Sequence, residues 1–372
     1  MKRSCRFIRV IVFTLVSFIV ASCAGQVEKP PSPLNDGIST ATPESLKLPA
    51  NSFSSISKKV FDSRKSAKFS NTVSASYYGV DSILIMYQDH LVYEKYFNQG
   101  SRNKPHLMAS LGKSLLSAIV GIAIDQGHVK SVDESIFPLL PFKLYRNDDH
   151  NKQAIQLKHL LTMSSGWQCG GVEDYAKHCG VTMMQKQNPI KWALDLPMAW
   201  QPGSRFNYNE AEPRIASAII SIQTGQHSAD YGKQYLLQPL GISENAFQTG
   251  KLTSRDMLKI GLLYLHKGYY KGQQLISEDW VQQSTSVQFP FKSAGKNKGY
   301  GYYWWLRDFH IDGEVYSSFY AAGNGGQYLF VVPGLDLVVA LTGSNYGHFK
   351  RMQKFIELVE NHILPPVAHR VN

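Results

Sequence analysis

Strand-like runs occur near both ends of this chain, and a long helical stretch separates them. Residues 82–87 and 91–96 are apolar, β-rich runs on either side of a short polar turn, a pattern typical of a hairpin. Runs of the same character return at 301–306, 328–332 and 337–341. Strands so far apart in sequence share a sheet only if both ends of the domain come together. The sequence therefore predicts an α+β fold: an antiparallel sheet from both ends, flanked by helices, with an inserted helical lobe.

The segments between and after these strands have helical periodicity and end signals such as glycine stops. We predict helices at 115–124, 155–163, 212–224, 253–266 and 349–362, the last of them ended by Pro365 and Pro366. A cleft between the sheet and the helical lobe is expected to hold the functional site.

The first of these helices is preceded by Ser110 and, three residues later, Lys113. Residues three apart share a helix face, so both side chains are expected to point the same way. A serine hydroxyl becomes a good nucleophile when a base takes its proton, and a buried lysine with a lowered pKa can be that base. The pair therefore indicates nucleophilic catalysis at Ser110.

The same motif fits two other interpretations. Ser110 could cap the helix while Lys113 lies on the surface. Gly112-Lys113-Ser114 also resembles the end of a phosphate-binding loop. However, Leu107 stands where that motif needs its first glycine, which argues against the loop.

Composition limits the function classes. Of the 372 residues, 43% are hydrophobic and 18% are charged, which is enough apolar content for a large core. The net charge is +11, but four of the basic residues fall in the first 22 positions and the others are scattered. This pattern argues against a nucleic-acid partner. We expect neither a metal nor an organic cofactor, because H-E-x-x-H and C-x-x-C motifs do not occur.

The N-terminus has the character of a targeting segment. A basic stretch precedes the apolar run 10–21, which is too short to cross a bilayer and typical of a signal peptide. Small residues directly before Cys23 resemble the lipidation site of bacterial lipoproteins, and Ala24 is typical of outer-membrane sorting. We therefore expect a signal peptide at 1–22, a lipidated Cys23 with a disordered tether over 23–50, and a folded domain at 51–372. The protein would be anchored by its lipid and face the periplasm; an ordinary signal peptide is the alternative.

Two cysteines remain for the folded domain. Cys169 and Cys179 lie ten residues apart in a glycine-flanked loop. In an oxidising periplasm they are expected to form a local disulfide. Free thiols are one alternative and a metal pair with His178 is another, although the spacing matches no standard metal site.

Several blocks of sequence resemble the serine β-lactamase and penicillin-binding-protein superfamily, and they follow the family's order over about residues 70–364. S-x-x-K is a motif named for these enzymes. The other blocks are IQLKHLLTMSSGW (155–167), WQPGSRFNY (200–208), LTSRDMLKIGLLYL (252–265), ISEDW (276–280), YGYYWWL (300–306) and AGNGGQYLFVVP (322–333). Within the superfamily the chain is most similar to the class C and esterase-like branch, including 6-aminohexanoate-dimer hydrolase-like proteins, which carry a comparable G-x-x-G-Q segment.

The resemblance implies a β-lactamase/transpeptidase-like fold and a serine hydrolase. By this resemblance Ser110 is the nucleophile, Lys113 is its base, and Tyr208, the tyrosine of the family's Y-x-N motif, is a second acid/base. The backbone N–H groups of Ser110 and Asn324 would form the oxyanion hole. The candidates for substrate binding are Trp167, Gly323, Gly325 and Trp304, with Tyr302 and Trp305 beside them.

Two departures from the family pattern bear on the substrate. Glu210 stands where asparagine would complete Y-x-N, and Gly323-Asn324-Gly325 has no lysine where K-T-G would place one. In β-lactamases that lysine helps to bind the substrate carboxylate. We therefore expect cleavage of a small-molecule ester or amide through an acyl-enzyme. The alternatives are β-lactamase or D,D-peptidase activity, or a non-catalytic penicillin-binding-like envelope protein.

Overall fold

The computed structural model describes residues 29–69, 77–98, 100–143, 145–170, 179–292 and 295–369. The expected signal peptide, Cys23 and His178 lie outside these ranges, so what the sequence indicates for them stays a prediction.

Strands from both ends of the domain meet in one large sheet. The strands are β1 (Ser39–Thr40), β2 (Val80–Tyr87), β3 (His90–Tyr96), β4 (His106–Leu107), β5 (Lys251–Leu252), β6 (Tyr269–Tyr270), β7 (Gln273–Gln274), β8 (Phe289–Pro290), β9 (Asn297–Tyr300), β10 (Trp305–Ile311), β11 (Glu314–Gly323), β12 (Gln327–Val332) and β13 (Leu337–Gly343). Among the described residues, nine of them form a sheet in the order β1-β3-β2-β13-β12-β11-β10-β9-β8. The predicted α+β architecture is confirmed. Its neighbouring strands are antiparallel except β1 and β3, which are parallel.

Both faces of this sheet are covered. Successive side chains of its central strands enter two different apolar cores, one on each face. On β13, Val338 and Ala340 belong to one apolar core, whereas Val339 and Leu341 belong to the other. Successive side chains of a strand point to opposite faces, so a continuous apolar run is needed where both faces are buried. The run at 337–341 therefore marks a central strand with helices on either side.

The helices are α1 (Ser54–Phe69), α2 (Gly112–Asp125), α3 (His150–Gln153), α4 (Leu157–Leu161), α5 (Cys179–Met184), α6 (Pro189–Leu194), α7 (Ala211–Thr224), α8 (Ser228–Gly232), α9 (Ala246–Thr249), α10 (Ser254–Leu265), α11 (Glu278–Ser284), α12 (Phe349–Leu358) and α13 (Leu364–Ala368). The predicted inserted lobe corresponds to α2 through α9, in which α7 contacts α2, α4, α6 and α8. Helix α10 packs on β12 and β13. Gly261 lets α10 approach closely, because a Cβ there would lie 2.3 Å from Val338 Cγ1.

The predicted disordered tether over 23–50 is wrong for its second half. Ser39–Thr40 joins the edge of the sheet as β1, and Ile38 and Leu48 are buried. The guanidinium of Arg255 is buried and binds Asp36 Oδ2 at 2.9 Å. A buried cation requires partners. Glu94 is one partner of Arg255, and Asp36 is a second from the segment expected to be loose.

Two further boundaries differ from the prediction. Residues 301–304 do not continue a strand: they turn between β9 and β10, with Tyr303 at φ 63°. The final helix does not end at the two prolines. After Leu358 the chain widens into a π-helical turn at Val359–Ile363 and continues as α13. Pro365 lies in the first turn of α13, where a missing N–H leaves no helical hydrogen bond unmade.

Candidate active site

Ser110 lies in a short 3-10 helix, Ala109–Leu111, that runs directly into α2. The residue before it, Ala109, has φ 49°, which is an uncommon backbone conformation for a residue with a Cβ. Strain of this kind is found preferentially at functional sites, where the surrounding structure holds it in place. Here it accompanies a serine that is partly exposed at the start of a buried helix.

Lys113 occupies the first turn of α2, and its ammonium joins two groups. Nζ donates to Ser110 Oγ at 3.0 Å and to Glu210 Oε1 at 2.6 Å. The lysine side chain is 8% exposed, whereas that of Glu210 is 36% exposed. The predicted nucleophile and base therefore lie within hydrogen-bond distance. The alternative in which Lys113 lies free on the surface does not fit this geometry.

The charge environment of Lys113 differs from the expected one. Burial by itself favours the neutral amine, but Tyr208 and Glu210 oppose burial more strongly and together raise the pKa of Lys113 above its ordinary value. The expectation of a lowered pKa is therefore wrong for the structure described here. Tyr208 and Glu210 therefore favour the ammonium form of Lys113, and Glu210 stands two residues after Tyr208, in the position where the family has asparagine.

Tyr208 lies in the loop that leads into α7, and it faces the same ammonium. Lys113 Nζ is 5.1 Å from the centre of the Tyr208 ring. On its other side the ring stacks on Trp305, with centroids 5.8 Å apart and an interplanar angle of 22°. The structure thus brings Ser110, Lys113 and Tyr208 together.

The glycine-rich end of β11 lies against the segment that carries the serine. A Cβ at Gly323 would lie 2.1 Å from the carbonyl oxygen of Met108, so only glycine permits this approach. Asn324 follows and is exposed, and its side-chain Oδ1 accepts a hydrogen bond from Gly347 N at 2.8 Å. The close contacts of Gly323 and Gly325 are with protein atoms, which accounts for these glycines without a role in substrate binding.

Two of the predicted substrate-binding residues belong to the core. Trp304 is fully buried and packs against Tyr264, with ring centroids 4.6 Å apart. Trp167 is 2% exposed. Neither indole offers a surface to a ligand, so the prediction for Trp167 and Trp304 is wrong. Sequence reasoning could not separate them from Trp305, which is partly exposed and stacks on Tyr208.

A buried carboxyl near the site was not singled out from the sequence. Glu212, in the first turn of α7, is 1% exposed, and burial raises its pKa to about 8 although hydrogen bonds from Ser165 oppose the rise. The Ser165 hydroxyl and backbone N–H both donate to Oε1, whereas Oε2 has no hydrogen-bond partner among the described residues. Its apolar surroundings become visible only once the chain is folded.

The structure joins Cys169 and Cys179 in a disulfide, with Cα atoms 5.2 Å apart. This favours the expected pairing over free thiols. Within the described residues, no three His, Cys, Asp or Glu side chains come together as a metal-binding cluster. In the same ranges no helix is long and apolar enough to cross a membrane.

Two cavities lie on either side of the segment that carries Ser110. One, of about 670 Å³, opens beside Lys113 and Glu210 and extends along α7. The other, of about 480 Å³, surrounds His106, whose Nε2 lies 3.0 Å from Asp81 Oδ2. None of the predicted site residues lines the second cavity.

Comparison with known proteins agrees with this geometry. The family model described as Beta-lactamase matches residues 78–252, a range that contains Ser110, Lys113 and Tyr208. The 6-aminohexanoate-dimer hydrolase of Paenarthrobacter ureafaciens is 22% identical over 290 residues, which cover 71% of this chain and 72% of that protein. The resemblance of the chain to the β-lactamase and penicillin-binding-protein superfamily is therefore confirmed.

Solved structures of this superfamily share the fold. A class C β-lactamase from Rhodobacter sphaeroides superposes with a TM-score of 0.59 at 15% identity, covering 82% of this chain and 99% of that one. An octameric penicillin-binding protein homologue from Pyrococcus abyssi gives 0.61 at 18% identity, covering 83% and 78%. Both likenesses lie below 25% identity, and they show that the chain shares the fold of these proteins.

Proposed function

We propose that this protein hydrolyses an ester or amide bond through an acyl-enzyme formed on Ser110. One observation carries the proposal: Lys113 Nζ lies 3.0 Å from Ser110 Oγ and is itself held by Glu210. Once Lys113 passes a proton to Glu210, its neutral amine is the adjacent base that activation of the Ser110 hydroxyl requires. The name of the Paenarthrobacter ureafaciens relative, a hydrolase, supports the same reaction class.

In this mechanism the proton of Ser110 moves through the Lys113–Glu210 pair. Lys113 passes one proton to Glu210 and takes the proton of Ser110 as Oγ bonds to the substrate carbonyl carbon. The tetrahedral intermediate collapses, the bond from carbon to the leaving group breaks, and Tyr208 gives its proton to the leaving group. Glu210 then returns a proton through Lys113 to Tyr208. Water attacks the acyl-enzyme with the same groups and releases the acid.

The oxyanion would be bound by the backbone N–H groups of Ser110 and Asn324. The close approach of Gly323 to Met108 supports this pairing, since it brings the end of β11 beside the nucleophile segment. Preorganised donors aimed at the developing oxyanion often make the largest single contribution to such reactions. Gly323-Asn324-Gly325 has no lysine where the K-T-G motif would place one, so an ester or amide fits the site better than a β-lactam.

We also propose that lipid on Cys23 anchors the protein at the outer membrane. Arg255 Nη2 donates to the carbonyl oxygen of Ser32 at 3.1 Å, so the chain is attached to the domain from about that residue onward. Only eight residues, 24–31, then lie between Cys23 and Ser32, and this stretch reaches at most roughly 30 Å when fully extended. Labelled palmitate should be incorporated into the wild-type protein and not into Cys23→Ser, and incorporation into both would contradict the proposal.

A fluorophosphonate probe tests the reaction directly, because it reacts with activated serines whatever the natural substrate. We expect labelling of the wild-type protein and none of Ser110→Ala, together with Ser110-dependent turnover in a panel of esters and amides. A β-lactam in the same panel tests the alternative activity. If the wild-type protein is labelled no more than Ser110→Ala, the protein is not a serine hydrolase at this site.

A further inference from the structure

The cavity beside Lys113 adjoins the segment that carries the proposed nucleophile: Ser110 does not line it, but Ala109 and Lys113, which contacts Ser110 Oγ, do. Lys113 and Gly112 form one end of it. Along α7, the lining positions include Pro213, Ser217 and Ser221, which recur at helical spacing and so lie on one face of the helix. From residue 210 to residue 222 this face extends roughly 18 Å, at 1.5 Å of rise per residue. The cavity therefore leads away from the nucleophile along the length of α7.

The walls of this cavity are largely apolar. Leu116 of α2 and the pair Met183 and Met184 of α5 line it opposite α7, and Ile222 lines its far end. Met184 is 57% exposed and Ile222 is 42% exposed, although both are large apolar side chains. Burial of such side chains is favourable, and methionine adapts its shape to varied apolar partners. This exposed apolar surface and Lys113, the proposed base of Ser110, thus line the same cavity.

On the basis of the proposed function, we infer that this cavity holds an extended apolar acyl chain of the substrate. Its position relative to Tyr208 determines which side of the bond it receives. Tyr208, the proposed proton donor to the leaving group, does not line the cavity. Ser110 does not line it either, but Ala109, Gly112 and Lys113 around it do. The acyl chain attached to Ser110 can therefore enter the cavity beside Lys113 and lie along α7, while the leaving group departs on the side of Tyr208 and Trp305. The substrate class is that of medium- to long-chain aliphatic esters or amides.

A series of p-nitrophenyl esters from acetate to decanoate tests the inference. We expect kcat/KM to rise roughly threefold for each added methylene that enters the cavity. Met184→Gln and Ile222→Gln should flatten this rise. Val181→Gln is the matched control, since Val181 lies on the same helix as Met184 and is also exposed, but does not line the cavity. It should keep the chain-length dependence of the wild-type protein.

A second series, with acetate as the acyl group and alcohols of increasing length, distinguishes the two sides of the bond. A length preference on the alcohol side alone would overturn the inference, as would flat profiles in both series while fluorophosphonate still labels Ser110. Binding of decanoate to Ser110→Ala, measured by calorimetry, needs no turnover. If that binding is weakened at least tenfold by Met184→Gln while Ser110 proves unreactive in the wild-type protein, the cavity assignment holds and the proposed hydrolysis fails.

Discussion

Glu210 and Glu212 lie two residues apart at the start of one helix, but their side chains differ in exposure and in partners. Glu210 is partly exposed and holds the ammonium of Lys113 at 2.6 Å. Glu212 is buried, and its pKa is raised to about 8. The charge of Lys113 dominates the surroundings of Glu210, whereas burial away from water dominates those of Glu212. Titratable groups whose environments differ in this way can carry different functions in one site.

The contrast also indicates where a proton can be exchanged. Glu210 is reached from the cavity and from Lys113, so its charge can take part in a reaction cycle. Glu212 is buried and accepts hydrogen bonds from Ser165, and a proton that it holds contributes to stability instead. We therefore expect changes at Glu210 to alter the pH dependence of turnover, and changes at Glu212 to alter the pH dependence of unfolding.

Removing the cation that Glu210 holds should have the largest effect. Lys113→Met takes away the group that contacts Ser110 and leaves Glu210 without its partner. Because positioned acid–base groups contribute about 10²–10⁴-fold, we expect kcat/KM to fall by about 10³-fold. Steady-state kinetics with the best ester of the panel measures this.

Lys158→Met is the matched control, because Lys158 also forms an ion pair, with Asp133 at 2.7 Å, but on the surface. Its activity should remain near that of the wild-type protein, since exposed pairs contribute little. If Lys113→Met kept more than about a tenth of the wild-type activity, Lys113 would not move the proton of Ser110.

The same two carboxyls illustrate what the sequence could predict. The sheet from both ends and the S-x-x-K helix followed from apolar periodicity and glycine stops, which are local signals. The departure at Glu210 was visible as a broken Y-x-N motif, but its effect on Lys113 depends on a distance between α2 and the loop before α7. Burial decided the rest: Trp304 and Trp305 are adjacent and chemically identical, yet one lies in the core and the other stacks on Tyr208.

Residues 23–50 are a second case in which distant contacts decide what the local sequence cannot predict. Their polar, proline-rich composition is typical of a disordered segment. The partner that orders Asp36 is Arg255, far along the chain, and the pairing of β1 with β3 adds backbone hydrogen bonds. Composition measures what a segment can bury by itself. It does not report that Arg255, which is buried and paired with Glu94, also binds a carboxylate of this segment.

A second prediction concerns stability and distinguishes the role of Glu212 from that of Glu210. The folded protein keeps the Glu212 proton up to about pH 8, while the unfolded chain releases it near the ordinary value of 4.5. Between these values the unfolded state binds fewer protons. The free energy of unfolding therefore falls as the pH rises, by at most about 1.4 kcal/mol per unit. Glu212→Gln resembles the protonated acid and lacks this dependence.

We expect Glu212→Gln and the wild-type protein to have similar free energies of unfolding near pH 5, and the variant to be more stable by about 2–4 kcal/mol at pH 8. Urea unfolding across this range measures the difference. Glu210→Gln serves as the comparison, since its side chain is partly exposed and should show no such gain. A constant difference between Glu212→Gln and the wild-type protein at every pH would mean that Glu212 is ionised in the folded state.

The smallest of the three effects should be that of Glu210→Gln on turnover. Without the carboxylate, one of the two groups that raise the pKa of Lys113 is lost, and burial then favours the neutral amine more strongly. The variant also lacks the group that accepts a proton from Lys113. At neutral pH we expect kcat/KM to fall about tenfold, less than the about 10²–10⁴-fold of a group that acts on the substrate directly, because Glu210 acts through Lys113. Activity should recover as rising pH deprotonates Lys113. Glu210→Asn, which restores the family's Y-x-N motif, should behave alike. A neutral lysine acting alone as the base would give the opposite result, because either substitution would then raise activity at neutral pH.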